Sequence, residues 1–234
     1  MPKTVSDKGQ FMIAVDEGIV PAAYYDVVGV RTVYIGHTAA AGAPSPLSIS
    51  LTMPLDSELD AVLKEAWSVF SKDLLVYTAA VVAKMGPDLK QHELDGWVGF
   101  HFNTGGIYRT SAVAKWRSGD KAGAVRVLKQ WNKGTINGQK RVLQALVARR
   151  DDEAALILGG VYPNKPLAVW GTNGRGKVQW GAPLRTYTFA KWAAFLGKSR
   201  GSAAADGAAV AVGGGAIAVA MWWDKIEAFF RGLF

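Results

Sequence analysis

Residues 55–84, LDSELDAVLKEAWSVFSKDLLVYTAAVVAK, form the longest stretch of the chain that neither Gly nor Pro interrupts. Asp56 and Ser57 are polar residues of the kind that begin a helix, and Met85-Gly86-Pro87 supplies a stop. The stretch therefore predicts one long helix. A chain of 234 residues has room around it for one moderate domain or for two small ones.

Shorter segments on both sides predict a mixture of helices and strands. Before the long helix, residues 6–17 favour a helix that Ser6 or Asp7 can cap, and residues 23–38, rich in Tyr, Val, Ile and Thr around Gly29, favour a β-hairpin. After it, four more helices are predicted at HELDGWVGFHF, SAVAKWRSG, DKAGAVRVLKQW and GQKRVLQALVARRDDEAALIL. The fold class is therefore α+β, with a small N-terminal lobe that holds the hairpin and a larger helical lobe.

The composition limits the chemistry that the chain can use. Its 27 Lys and Arg against 19 Asp and Glu give a formal net charge of +8, which suits an anionic partner such as nucleic acid, an acidic cell-wall polymer or a lipid headgroup. The absence of Cys excludes disulfides, thiol nucleophiles and Cys-ligated zinc, and only three His argue against a His-rich metal site. The N-terminus has no long apolar run, so no secretory signal is expected.

Asp26 stands where the first strand of the hairpin otherwise holds aromatic and β-branched residues. If the turn centres on Gly29, Asp26 lies directly opposite Thr32, and opposed side chains point to the same face about 4.5–5.5 Å apart. A carboxylate and a hydroxyl would then hold one water molecule together. This register is an assumption, because a slip of one residue would separate the two side chains.

Glu17 lies in the last turn of the first predicted helix, next to a second acid, Asp16. The carbonyl end of a helix is partly negative, so it disfavours the ionised carboxylate and keeps a proton available for general acid catalysis. With Asp26 this makes two carboxyls, the usual equipment for hydrolysis of a glycosidic bond. On chemistry alone Asp16 is an equally plausible acid. The structural alternative is a solvated Glu at a helix end and an Asp that forms a turn.

Four motifs, in order along the chain, resemble those of the phage-type lysozymes, the endolysins of glycoside hydrolase family 24. The first contains Glu17-Gly18, Ala23-Tyr24, Asp26, Gly29, Thr32 and Gly36-His37-Thr38. LDGWVGFHFNTGG resembles the family's helix end phenylalanine-asparagine-x-glycine, WRSGDKAGAVRVLKQW its Gly-Asp followed by an Ala-rich helix ending in Trp, and ALVARRDDEAALIL its closing double-Arg helix. The resemblance covers roughly residues 6–160.

The resemblance implies a lysozyme-like fold with a cleft between two lobes. It also implies hydrolysis of the β-1,4 bond between N-acetylmuramic acid and N-acetylglucosamine in peptidoglycan, with no metal and no organic cofactor. Glu17, the acid just before Gly, matches the family's general acid, Asp26 the carboxylate that helps to activate water, and Thr32 the residue that positions that water. An inverting reaction would need about 6.5–9.5 Å between the two carboxyls.

Two further residues of the first motif are candidates for substrate binding. Tyr34 stands where the family usually has Gly, and its ring is expected to narrow the cleft or to stack on a sugar face. His37 is a candidate contact as well, but a structural hydrogen bond near Glu17 is the favoured alternative.

The later motifs supply four more candidates. Asn103 and Gly105 are either a plain helix cap or a sugar contact, since the family places this helix end at the cleft. Arg149 and Arg150 are either a solvated face or a structural support. The resemblance implies that the pair lies close to the helix of the catalytic acid, where one guanidinium is expected to pair with a carboxylate of the N-terminal lobe.

The chain is predicted to divide into three parts. Residues 1–160 form the lysozyme-like catalytic domain, and residues 161–197 form an extension in which LAVW and KVQW predict a hairpin and TFAKWAAFLG a short helix. Residues 198–234 form a small-residue linker and an apolar, amphipathic tail. The uncharged residues 207–223 are at the lower length limit for a membrane span, and membrane contact through residues 207–234, as a span or as a surface helix, is favoured over a helix docked on the enzyme.

The leading interpretation is a muramidase with which a phage or prophage lyses its host. It would accumulate in the host cytoplasm, pass through a partner pore such as a holin, and act in the periplasm at the cell wall. The alternative is a non-catalytic wall-binding or membrane-active protein on a lysozyme scaffold. Nucleic-acid binding has only the net charge behind it, so no nucleic-acid partner is expected.

Overall fold

The computed structural model describes residues 3–26, 29–136 and 138–198, and the predicted tail beyond residue 198 lies outside the described residues. Helices and small sheets alternate along the described chain, which confirms the α+β prediction. The helices are α1 (Asp7–Glu17), α2 (Asp56–Met85), α3 (Gln91–Thr104), α4 (Ala112–Arg117), α5 (Lys121–Lys129), α6 (Gln144–Gly159) and α7 (Phe189–Phe195). The strands are β1 (Val20–Tyr25), β2 (Arg31–Tyr34), β3 (His37–Thr38), β4 (Lys133–Ile136), β5 (Gln139–Val142), β6 (Leu167–Val169), β7 (Gly171–Thr172), β8 (Val178–Gln179) and β9 (Arg185–Tyr187).

Helix α1 is closed at both ends by the residues that its sequence predicts. The hydroxyl of Ser6 accepts a hydrogen bond from the backbone N–H of Gly9 at 3.1 Å, as an N-cap does. At the other end Gly18 has a φ of 71°, and its N–H donates to the carbonyl of Ala14 at 2.8 Å. These caps fix where the helix stops and so place its last residue, Glu17, at the start of β1.

The antiparallel strands β1, β2 and β3 form one sheet, but the predicted register of β1 and β2 was wrong. Thr32 lies opposite Tyr24, and Asp26 exchanges backbone contacts with Val30, whose carbonyl accepts from the Asp26 N–H at 3.0 Å. The turn therefore centres one residue before Gly29. The Asp26 carboxylate decides this, because its Oδ1 accepts the N–H of Val30 at 2.8 Å and closes the turn early.

Helix α3 lies at the centre of the helical lobe, and its residues from Glu93 to Thr104 are all buried. It packs against α1, α2 and α6. The contact with α6 is close because a Cβ placed on Gly96 would lie 2.5 Å from Ile157. Helix α2 is the one helix of the described chain with the length and apolar character of a membrane span, and 44% of that segment is buried inside the protein, as in a core helix.

The fifth predicted helix begins later than its sequence suggests. Residues 139–142 form β5, which pairs with β4 in a hairpin from Lys133↔Val142 to Ile136↔Gln139. The Asn-Gly dipeptide at 137–138 is a signal for such a turn, and Gly138 has the required positive φ of 75°. The helix, α6, therefore begins only at Gln144.

The extension packs into the same body as the preceding residues. The ring of Trp192 in α7 is 1% exposed and lies 5.1 Å from that of Trp67 in α2. The predicted hairpin is confirmed in part, because β7 pairs with β8 whereas β6 pairs with β9. At its end Lys198 forms an ion pair with Asp7 of α1.

Candidate active site

Glu17, the predicted acid, lies at the junction of α1 and β1 with a side chain that is 11% exposed. Its Oε1 accepts a hydrogen bond from Nη1 of Arg149 at 2.9 Å. Of the two predicted arginines, Arg149 therefore pairs with an acid of the N-terminal lobe. This ion pair favours the ionised carboxylate, whereas the carbonyl end of α1 disfavours it.

Arg149 is shared among three carboxylates rather than reserved for one. Its Nε lies 3.3 Å from Oδ2 of Asp16 and 3.4 Å from Oε1 of Glu153, in addition to the contact with Glu17. Burial alone would lower the pKa of Arg149, but the three carboxylates outweigh burial and raise it, so the guanidinium stays charged. One positive charge is thus divided among three acids.

Arg150 and Glu153 continue this network into the core. Nη2 of Arg150 donates to Oε1 of Glu153 at 2.7 Å and to Oδ1 of Asn103 at 2.9 Å. Glu153 is 1% exposed, and burial raises its pKa to about 7 although two guanidiniums oppose the shift. Sequence reasoning missed Glu153, although its spacing of three and four residues from the two arginines places it on their face of the helix.

Asn103 and Gly105 were predicted to contact a sugar or to cap a helix. Asn103 is 5% exposed, and its carboxamide oxygen accepts a hydrogen bond from Arg150. Gly105 is buried, takes the left-handed conformation at the end of α3, and donates its N–H to the carbonyl of His101 at 2.7 Å. These contacts favour the structural alternative for both residues.

Asp26 and Thr32 do not face each other as predicted. Both contact Val30 instead, since Asp26 accepts its N–H and the hydroxyl of Thr32 donates to its carbonyl at 3.1 Å. The side chain of Thr32 is fully buried. The predicted direct opposition of Asp26 and Thr32 is therefore wrong, because the turn is shorter than assumed, and the shared water stays a prediction.

Tyr24 belongs to the first motif, but no role was predicted for it from the sequence, and in the structure its pKa responds to both predicted catalytic carboxyls. Burial raises the pKa of its hydroxyl, and the charges of Glu17 and then Asp26 raise it further. Both carboxylates therefore lie within electrostatic reach of one buried phenol. The structure brings Glu17 and Asp26 to one neighbourhood although nine positions separate them in the chain.

Tyr34 has a φ of 60°, a conformation that costs a residue with a Cβ about 1–2 kcal/mol and costs Gly nothing. Its ring is 2% exposed and lines a cavity of about 460 Å³ between the sheet, residues 48–54 and α2. Burial raises the pKa of its hydroxyl, as does Glu65, with which that hydroxyl shares a hydrogen bond. Little of the Tyr34 ring is exposed for the predicted stacking on a sugar. Neither Glu17 nor Asp26 lines this cavity.

His37 is 1% exposed and uses both ring nitrogens inside the protein. Nδ1 lies 2.8 Å from Oδ2 of Asp73, and Nε2 lies 2.9 Å from the carbonyl of Pro44. Burial alone would lower the pKa of His37, but the hydrogen bond and charge of Asp73 outweigh burial and raise it. These contacts favour the structural alternative over a substrate contact, with Asp73 of α2 as the partner rather than Glu17.

Comparison with known proteins relates this arrangement to one family. The sequence profile of the family described as phage lysozyme matches residues 14–153. A SAR-endolysin of Pseudomonas phage phiKMV is 29% identical over 138 residues, which are 58% of this chain and 78% of that protein. An endolysin of Acyrthosiphon pisum secondary endosymbiont phage 1 is 27% identical over 155 residues, 65% of this chain and 97% of that protein. Among solved structures, the endolysin from Escherichia coli O157:H7 phage FAHEc1 aligns with a TM-score of 0.58 at 26% identity, over 69% of this chain and 97% of that one.

Proposed function

The chain belongs to the phage lysozyme family of peptidoglycan hydrolases, and we propose that it is an endolysin that cleaves the β-1,4 bond between N-acetylmuramic acid and N-acetylglucosamine to lyse its host. The observation that supports this activity best is the position of Glu17, nearly buried at the junction of α1 and β1 and paired with Arg149, with Asp26 directly after the other end of β1. Two carboxyls around one site are what hydrolysis of a glycosidic bond requires.

In the proposed reaction Glu17 donates its proton to the glycosidic oxygen, and Asp26 takes a proton from the attacking water. The charges around Glu17 bear on its proton. Three carboxylates, Asp16, Glu17 and Glu153, share two guanidiniums, those of Arg149 and Arg150. Of these three carboxyls, burial raises the pKa of Glu153 to about 7, so near neutral pH Glu153 is partly protonated and Arg149 is left mainly to Asp16 and Glu17.

The contacts of Val30 suggest how Asp26 is held for its part. The N–H of Val30 binds one carboxylate oxygen of Asp26, and the hydroxyl of Thr32 binds the Val30 carbonyl. We therefore assign Thr32 a positioning role that acts on Asp26 through Val30, in place of direct contact with the water. A Thr32→Ser variant keeps this hydroxyl and is expected to retain activity, whereas Thr32→Val is expected to lose part of it.

The remaining parts of the proposal concern the whole chain. Residues 1–160 would supply the catalytic site, residues 161–197 would complete the lobe around it, and residues 198–234 would contact a membrane. Release from the host cytoplasm through a holin-type pore would bring the enzyme to the periplasm and the cell wall. Flotation of the full chain with liposomes, against a 1–198 truncation, tests the membrane contact, and equal recovery of both in the soluble fraction would refute it.

The activity is tested by turbidity loss of Gram-negative cells stripped of their outer membrane, with product analysis by mass spectrometry. Glu17→Gln keeps the shape of the acid and is expected to abolish lysis and product release. Asp16→Asn is the matched control, since Asp16 is the neighbouring acid on the same arginine, and it is expected to retain most activity. Equal lysis by wild type and Glu17→Gln would reject the assignment and point to a non-catalytic, membrane-active protein.

A further inference from the structure

The extension contacts β1 at two places, and each lies beside one of the proposed catalytic carboxylates. Ile19, two residues after Glu17, donates its N–H to the carbonyl of Ala168 at 2.9 Å and accepts the N–H of Trp170 at 2.7 Å. Tyr25, the residue before Asp26, donates its N–H to the carbonyl of Gly176 at 2.8 Å. The segment from residue 168 to residue 176 therefore meets this edge of the chain at both ends of β1, and between these contacts the carbonyl of Ser50 accepts the N–H of Ala23 at 2.8 Å.

Two tryptophans of the extension lie against this part of β1. The rings of Trp170 and Trp180 meet edge to face with centroids 5.4 Å apart, and both pack against a small cluster of Val20, Tyr24 and Val178. Both rings are half-buried, whereas a tryptophan of the core such as Trp192 is 1% exposed. Part of the pair therefore stays open to solvent.

The position of the pair next to the catalytic residues rests on two contacts. A Cβ placed on Gly18 would lie 2.6 Å from Cδ1 and Nε1 of Trp170, so this indole touches the backbone directly after Glu17. Tyr24, which lies within reach of the charges of Glu17 and Asp26, belongs to the cluster on which both indoles pack. Trp170 thus lies beside the residue that follows Glu17, and both indoles pack on Tyr24, the phenol whose pKa the charges of Glu17 and Asp26 raise.

We propose that Trp170 and Trp180 form a saccharide-binding subsite that holds one sugar ring of the glycan beside the bond to be cleaved. The C–H groups on one face of a pyranose carry partial positive charge and pack on the negative face of an indole. Arg175 and Lys177, exposed on the loop between β7 and β8, would attract the carboxylates that the glycan carries. This subsite rests on the proposed function, and it lies beyond residues 14–153, the part of the chain that the family profile matches.

The first test uses the unaltered side chains of the pair. The Glu17→Gln variant, which cannot cleave, is titrated with N-acetylglucosamine oligosaccharides while the indole N–H signals are followed by NMR. The signals of Trp170 and Trp180 are expected to shift with a common saturation curve. Those of the buried Trp97 and Trp192 serve as internal references. The proposal would be overturned if the oligosaccharide saturates the protein while the indole N–H signals of Trp170 and Trp180 do not shift. It would also be overturned if the oligosaccharide does not bind.

The second test separates sugar stacking from packing. Trp180→Leu removes the indole face and is expected to weaken oligosaccharide binding about 2- to 12-fold, the range for one aromatic contact. Trp180→Phe keeps an aromatic face and is expected to restore most of it. Tyr187→Leu is the matched control, because Tyr187 is a half-buried aromatic of the same extension that packs on Trp192 and Phe195 instead.

Kinetics on soluble glycan strands distinguish failure of the subsite from failure of the proposed function. If wild type cleaves the strands and Trp180→Leu raises KM with kcat retained, the subsite is supported. If wild type cleaves and KM is unchanged in both Trp180→Leu and Trp170→Leu, the subsite is rejected and the hydrolase stands. If wild type does not cleave, the proposed bond specificity fails, and the NMR titration still decides whether the pair binds sugar.

Discussion

Replacement of Glu153 by Gln tests the charge balance of the buried cluster. The change keeps the shape of the side chain and the oxygen that accepts from Arg150, but removes a group that titrates. Burial raises the pKa of Glu153 from 4.5 to about 7 in the folded protein. A carboxyl whose pKa is raised on folding stabilises the protein in its protonated form, so its contribution is complete below about pH 4.5 and is lost as the pH rises through about 7.

The size of the effect follows from the shift. A difference of about 2.5 pKa units corresponds to about 3 kcal/mol in the free energy of unfolding, at about 1.4 kcal/mol per unit. Gln resembles the protonated acid at every pH. Wild type is therefore expected to lose about 3 kcal/mol relative to Glu153→Gln between about pH 4.5 and about pH 8.5.

Urea unfolding of both proteins across this pH range measures the difference directly. Glu93→Gln is a control of opposite sign. Burial alone would raise the pKa of Glu93, but the hydrogen bonds from Lys121 and from the backbone of Lys90 outweigh burial and lower it, so here wild type should gain on its variant as the pH rises to about the ordinary value of 4.5 and stay level above it. Parallel curves for wild type and Glu153→Gln would refute the reasoning. A gain by wild type would show that the ion pairs with Arg149 and Arg150 outweigh burial.

Three further predictions concern other contacts. Asp73→Asn is expected to destabilise the protein more at about pH 5.5 than at about pH 8.5. The raised pKa of His37 stabilises the fold below 6.5, the ordinary pKa of His, and that contribution is lost at higher pH. Thermal melts at the two pH values measure the difference. Gly18→Ala should lower the free energy of unfolding by about 1–2 kcal/mol because of the positive φ, and further because its Cβ would clash with Trp170. In urea unfolding, the double variant Gly18→Ala, Trp170→Ala should recover only the part of the loss that the clash causes. Asp26→Asn keeps an oxygen for the turn but removes the base, so lysis should fall about 10²–10⁴-fold with an unchanged melting temperature.

Local signals in the sequence were sufficient for the elements that have strong ends. Ser6 and Gly18 close α1, and the residues around Asp56 and Gly86 bound α2, as their types predict. The β4–β5 hairpin was missed because β5 is polar and runs directly into α6, so the prediction placed residues 139–142 at the start of that helix. There the Asn-Gly signal should have outweighed helix periodicity.

The candidate site was predictable in its residue types more than in its contacts. The pairing of Arg149 with Glu17 agrees with the expectation from resemblance, but the sharing of that arginine with Glu153 depends on how α6 packs. The predicted hairpin register was wrong because the Asp26 carboxylate accepts a hydrogen bond that closes the turn. A register assigned from backbone geometry alone does not include this side-chain contact. Tyr34 has a positive φ that its residue type does not indicate, whereas a Gly at this position would have indicated it.

The pairing of β1 with the extension has a consequence for the order in which the protein is built. During synthesis, α1 and β1 emerge first, but Tyr25 gains its partner at Gly176 only after about 150 further residues have been made. Until then the backbone groups of Ile19 and Tyr25 lack their partners at this edge of the sheet, and edges of this kind invite pairing with other chains. Contacts so distant in sequence also form slowly. A nascent chain, or one that ends before residue 168, is therefore expected to be inactive and prone to aggregate.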